Sequence, residues 1–154
     1  MPPSAARAVS ERLLEIGCGE IAVADTIGCA TPGRIDMMLT QVIEAVPVGR
    51  LACHFHDTSG QALANVDVAL KLGVRSFDSA VGGLGGCPYA PGAAGNLATK
   101  RLVQHLQHTG FVTSVDPAKL RAAVAHTLSF ADLVSNIERL HKRSAAVSPG
   151  NSCL

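Results

Sequence analysis

The chain has 154 residues, 47% of them hydrophobic and 16% charged, with a formal net charge of +1. That length holds one domain with a real core, and the composition argues against disorder over most of it. The near-neutral charge leaves no nucleic-acid footprint, and no apolar run reaches the ~18 residues of a membrane span.

Aromatic residues make up only 3%, with no Trp. The core is therefore built from Ala, Val, Leu and Ile, which suits a sheet covered by helices. The opening stretch, MPPSAARAVSERLL, lacks the apolar segment of a signal peptide. Cys18, Cys29, Cys53, Cys87 and Cys153 are odd in number and form no CxxC pair. A reducing compartment, the cytoplasm, fits them better than a disulfide framework, with the mitochondrial matrix open to a longer precursor. The final SCL is only a loose relative of a peroxisomal address.

Taken in chain order, the pattern predicts helix and strand in alternation. Ser4 is placed to cap a first helix carrying Val9, Leu13 and Ile16, which Gly17 and Gly19 end. EIAVAD, residues 20–25, is a short apolar run ending in an acid, as in a buried parallel strand. Thr31-Pro32 reads as a cap and first-turn proline, followed by a stripe of Ile35, Met38, Leu39, Val42 and Val46. RLACHFHD, residues 50–57, is the second strand. A helix from Gly60 to Leu72 follows, with Leu63, Val66 and Leu70 on one face, and VRSFDSAV, residues 74–81, is the third strand. Gly82 to Gly95 is a Gly- and Pro-rich loop, able to move and to admit a ligand close to its backbone. Asn96 opens a helix through about His108, and Asp116-Pro117 starts a further helical region. Leu120, Val124 and Leu128 line its first part; Phe130, Leu133, Ile137 and Leu140 line its second.

Strand starts near 20, 50 and 74 recur at the length of a βα unit, so the strands are parallel. A (β/α)8 barrel typically needs ~250 residues. The fold class expected is α/β, a partial (β/α)8 TIM barrel made of its C-terminal βα units with additional C-terminal helices. Residues 1–143 form that portion and residues 144–154 a flexible tail.

HFHDTSGQ, residues 54–61, carries the chemistry. Residues i and i+2 of a strand share a face, so His54 and His56 project together while Phe55 points to the covering helices. They are either two ligands of one metal ion or two hydrogen-bonded core histidines, and their place at a strand end favours the first. Asp25 ends the neighbouring strand, either beside a ligand or bonded to loop amides. Asp57 and Asp78 share that ambiguity; Asp57 is positioned to orient an imidazole, and Thr58 to cap the next helix. Cys87 sits in GGLGGCPYAPGAAGN, residues 82–96, as a proton-exchanging thiol or as a small apolar residue in a tight turn. Asn96 either caps the next helix or offers its amide oxygen to a hard cation. His105, His108, His126 and His141 lie on helices as surface or packing residues, and Cys18, Cys29 and Cys53 are structural.

DTIGCATPG, HFHDTSGQALAN and FDSAVGGLGGCPYAPGAAGNLAT resemble, in order, the consecutive motifs of the 3-hydroxy-3-methylglutaryl-CoA lyase family, over about residues 8 to 140. The resemblance implies that His54, His56 and Asn96 bind Mg²⁺ or Mn²⁺. It implies that Cys87 transfers a proton, that Asp25 lies near the substrate hydroxyl, and that Gly85 and Gly86 line the substrate. The implied reaction cleaves the C2–C3 bond of this acyl-CoA to acetyl-CoA and acetoacetate.

The same resemblance marks departures. The family's N-terminal half, with a further metal-binding aspartate, a catalytic arginine and a glutamate, has no counterpart in these 154 residues. Ser59 stands where the family usually has Tyr, Ala24 replaces a usual Gly, and Lys100-Arg101 replaces an acidic pair. Such a reversal either repels the cation or breaks a pair that seats the ligand helix. Three readings follow: a lyase portion incomplete by itself, calling for a complementing N-terminal half or a homo-oligomer; a non-catalytic half-barrel remnant or interaction module; and an acyl-CoA carboxyltransferase or synthase relative, which the cysteine loop disfavours. No nucleic-acid or membrane partner is expected.

Overall fold

A computed structural model describes residues 1–85 and 95–130. The chain divides into two units, Met1–Ser114 and Val115–Leu154. The first holds helix α1 (Pro3–Glu15), strand β1 (Ile21–Asp25), α2 (Pro32–Ile43), β2 (Leu51–Phe55), α3 (Ala62–Lys71), β3 (Ser76–Asp78) and α4 (Thr99–His108). In the second, residues 117–130 are helical. Asp116 Oδ1 caps that helix, accepting from the amides of Ala118 and Lys119 at 2.7 and 3.1 Å. Leu133, Ile137, Leu140 and the tail at 144–154 lie outside the described residues.

The three strands are parallel in the order β1-β2-β3. Ile21 faces Leu51 and Asp25 faces Phe55 across the first pair; His54 faces Asp78 across the second. Parallel neighbours joined by α2 and α3 are repeated βα units, as a partial barrel requires. Leu51, Cys53 and Phe55 alternate along β2 towards the helices and are buried with Leu39, Val42 and Val66. Fully burying such a side chain contributes roughly 1.5–3 kcal/mol, so this layer is the main source of stability. No helix among the described residues is long and apolar enough to cross a membrane.

Several local expectations change. Pro2 precedes α1 and Pro3 takes its first position, so Ser4 lies inside the first turn and does not cap it. Proline's fixed φ suits that site without a side-chain cap. Pro32 does stand first in α2 after Thr31, although the threonine side chain makes no cap bond. Thr58 does not cap α3 either. That helix starts after Gln61, with Asp57 Oδ1 accepting from the Ala62 amide at 3.2 Å. Strand β3 is shorter than expected: just before it the Arg75 side chain donates to the carbonyls of Leu70 and Val74, at 2.9 and 2.8 Å, and beyond it Ala80 pairs with Ala98.

Gly28 links the loops at the ends of β1 and β2. Its φ is +66°, and a Cβ there would lie 2.6 Å from Thr58 Oγ1 and 2.8 Å from the Thr58 amide nitrogen. Its carbonyl accepts from Ser59 at both the amide, 3.0 Å, and Oγ, 2.6 Å. Gly28→Ala therefore meets both a left-handed backbone and a backbone clash. We expect it to lower unfolding free energy by about 2–4 kcal/mol, read as a reduced urea midpoint at unchanged slope.

Candidate functional site

The site lies at the C-terminal end of β2. His54 is inside the strand. His56 lies one residue beyond it and pairs, antiparallel, with Asn96. The strand thus ends earlier than residue 57, and beyond Phe55 its partner is the chain returning at 95–97, which also pairs with Ala80 just after β3. The Leu97 amide donates to the Phe55 carbonyl at 3.2 Å and the Asp57 amide to the Gly95 carbonyl at 3.1 Å. In this pattern the enclosed residues, His56 and Asn96, form a non-hydrogen-bonded pair, the type with the closer side chains.

The two imidazole rings sit 5.0 Å apart between centroids, tilted by 60°. His56 is buried, 8% exposed. Its Nδ1 lies 3.0 Å from the Asp25 carbonyl oxygen. A carbonyl only accepts, so Nδ1 carries a proton, and in the neutral ring the lone pair is then on Nε2. His54 Nδ1 lies 3.2 Å from Asp78 Oδ2, a carboxylate partner that leaves Nε2 free in the same way. Cross-strand register makes that pair, since His54 and Asp78 are directly opposed.

Asn96 donates through Nδ2 to the Leu84 carbonyl at 3.0 Å. Its Oδ1 is buried and has no hydrogen-bond partner among the described residues. A buried acceptor left unpaired costs roughly 1–3 kcal/mol. It is not a helix cap, because α4 begins three residues later, after Ala98. Gly85 has φ +92°, and a Cβ on it would come 2.8 Å from Asn96 Nδ2, so glycine leaves the room that the amide occupies. Two imidazole nitrogens and one amide oxygen suit one divalent cation. Among the described residues, no group of three His, Cys, Asp or Glu side chains converges for that purpose.

Asp25 is 8% exposed, and its carboxylate accepts from the amides of Cys29 and Ala30 at 3.3 and 3.0 Å. It holds the loop after β1 while its own carbonyl holds His56. Asp57, expected to orient an imidazole, does not. Its carboxylate caps α3 and pairs with Arg101, because the residue after His56 projects away from the imidazoles. Asp78 has the orienting contact instead. The expectation missed two further contacts: Arg101 with Asp57, and the buried Asn65, whose Nδ2 donates to the Ala30 carbonyl at 3.0 Å. His105 Nε2 meets Asp67 Oδ1 at 2.6 Å, joining α4 to α3. Cys87 and Gly86 lie outside the described residues.

Cys53, on the helix side of β2, is fully buried. Burial first, and the Asp78 charge second, push its thiol from 9.0 up to about 12. The folded state thus holds a proton that the unfolded chain releases near pH 9. That contribution is complete below pH 9 and is lost as pH rises towards 12, by up to about 1.4 kcal/mol per unit. We expect denaturation midpoints to fall above pH 9, and Cys53→Ala to flatten that fall. At pH 8 a thiol reagent should label the exposed Cys29 and reach Cys53 only after unfolding.

A family profile described as HMGL-like matches residues 1–127. The chain is 52% identical over 121 residues to the cytoplasmic 3-hydroxy-3-methylglutaryl-CoA lyase of Mus musculus, covering 79% of this chain and 35% of that protein. It therefore spans about a third of that relative's length. The HMG-CoA lyase of Brucella melitensis superposes with a TM-score of 0.82 at 45% identity, over 84% of this chain and 46% of the other. An HMG-CoA lyase from Acenitobacter baumannii, solved with coenzyme A and 3-methylmalate, superposes at 0.71 and 40% identity, over 79% and 39%. With the parallel βα units, the strand-end histidines and Asn96 all inside the matched residues, the chain belongs to the HMGL-like family.

Proposed function

We propose that this chain supplies the cation-binding portion of a metal-dependent 3-hydroxy-3-methylglutaryl-CoA lyase barrel. The observation that carries the reading is the buried Oδ1 of Asn96, without a partner among the described residues, on a residue paired in register with His56. His54 and His56, each with Nε2 free, would complete the described set for Mg²⁺ or Mn²⁺. When bound, the cation supplies Lewis-acid polarisation of the substrate oxygens and orients them.

The chain's own residues would do the rest. Asp25, fixed by two loop amides, would stand beside the substrate hydroxyl. The C3 hydroxyl proton leaves to a base and the C2–C3 bond breaks. The hydroxyl carbon becomes the ketone of acetoacetate, and the bond electrons stay on the acetyl-CoA enolate. In the roles that the family resemblance implies, the Cys87 thiol would protonate C2 of that enolate, and Gly85 and Gly86 would line the acyl-CoA. Three free thiols among the described residues suit a reducing compartment, the cytoplasm for this chain.

The test joins these 154 residues to the preceding segment of the Mus musculus relative. The chimera should release acetoacetate only with added Mg²⁺ or Mn²⁺. Within it, Cys87→Ala should reduce turnover far more than cation affinity. Equal loss of both would remove the proton-transfer role from Cys87, and a metal-bound, folded but inert chimera would remove the lyase reading.

A further inference from the structure

We propose that Arg101 is a positioning residue for the cation site: its ion pair with Asp57 clamps the first turn of α4 to the end of β2 and holds Asn96 against His56. This rests on the reading of His54, His56 and Asn96 as cation ligands. Asp57 directly follows His56, and Arg101 lies five residues after Asn96, so the pair spans the two segments that carry donors. Asp57 is 10% exposed at its side chain, while Arg101 is 54% exposed. One Asp57 oxygen caps α3 and the other receives the Arg101 guanidinium. The same segments are joined by the amides of Asp57 and Leu97 donating across the His56–Asn96 pair. The ion pair is thus a third tie, made from side chains, over a two-bond backbone junction.

A cation beside the start of α4 is expected to be repelled by a basic pair there. The structure gives the two residues different parts. Arg101 is neutralised by the carboxylate it meets, whereas Lys100 is an exposed neighbour. The two accounts predict opposite signs. If Arg101 acts mainly by repulsion, removing its charge tightens cation binding. If it clamps the ligand segments, removing it loosens binding.

The test uses the 154-residue protein with Mn²⁺ alone as the probe. Affinity is read by calorimetry, and exchange of the Asp57 and Leu97 amides by NMR without metal. Arg101→Gln should weaken Mn²⁺ about fivefold, the upper range for a half-exposed ion pair, and speed exchange of both amides by a similar factor. Arg101→Lys should recover most of both effects, because the charge is kept. Lys100→Gln should leave both within about twofold. Unchanged or tighter Mn²⁺ binding by Arg101→Gln overturns the clamp, as does unchanged exchange at the two amides. If the wild-type protein binds no Mn²⁺, the cation-site reading fails by itself, and amide exchange alone decides whether the clamp exists.

Discussion

His56→Ala should weaken Mn²⁺ binding by at least about a hundredfold, the largest loss expected of any single donor. The ring is almost fully buried, and its Nδ1 proton is committed to the Asp25 carbonyl. Nε2 is therefore aimed before any cation arrives, so little rotamer freedom is lost on binding. His54 is more exposed, at 32% of its side chain, and its ring is held by a carboxylate that is itself half in solvent. His54→Ala should cost less than His56→Ala. Asp78→Asn should cost roughly tenfold, since removing an outer partner typically costs 10–100-fold in metal affinity. Calorimetry with Mn²⁺, alongside circular dichroism to confirm folding, gives the ranking His56, then His54, then Asp78. Equal loss at all three would mean that the rings are not pre-oriented as described. No loss at His56 would remove it from the donor set.

That ranking depends on contacts of different legibility. The strand period alone puts His54 and His56 on one side and Phe55 on the other, because alternation is a property of neighbours. The partner of His54 is not a property of neighbours. Asp78 reaches it only through the β2–β3 register, which sets two residues 24 positions apart side by side. Asn96 was open between a cap and a ligand for the same reason. Its pairing with His56 spans 40 residues, and it moves the start of α4 to Thr99. Adjacency misleads at Asp57: directly following His56 in sequence turns its side chain away from the imidazole face, to α3 and Arg101. Lys100-Arg101 was legible as a charge reversal, but its consequence was not, since only the fold brings Arg101 to a carboxylate. Helix interiors and the βα rhythm were readable from apolar spacing. Helix starts were less so, because Pro3, and not the side chain of Ser4, begins α1.

The 154 residues purified by themselves should release no acetoacetate from 3-hydroxy-3-methylglutaryl-CoA, with or without metal. The proposed donors are two imidazole nitrogens and one amide oxygen, enough to hold a cation only weakly while water fills the other positions. Catalysis needs charge placed against the developing enolate. The family resemblance puts an arginine and another metal-binding aspartate on strands that these residues do not include, and one such group is typically worth ~10²–10³ in rate. The open side of β1 adds a physical handicap. Ala22 and Ala24 are exposed there, in a groove also lined by Val9, Ile27 and Met37, which are 52%, 45% and 58% exposed. Among the described residues β1 is the sheet's edge. An apolar groove beside an unpaired strand favours self-association or capture of a complementary βα unit. We therefore expect size-exclusion chromatography to give species larger than the monomer. Supplying the preceding segment of a lyase relative should convert them to a defined, active complex. A monodisperse monomer with robust metal-dependent turnover would overturn this expectation, and would require charges within these residues, Lys100 or Arg101, to take the part assigned to the absent arginine.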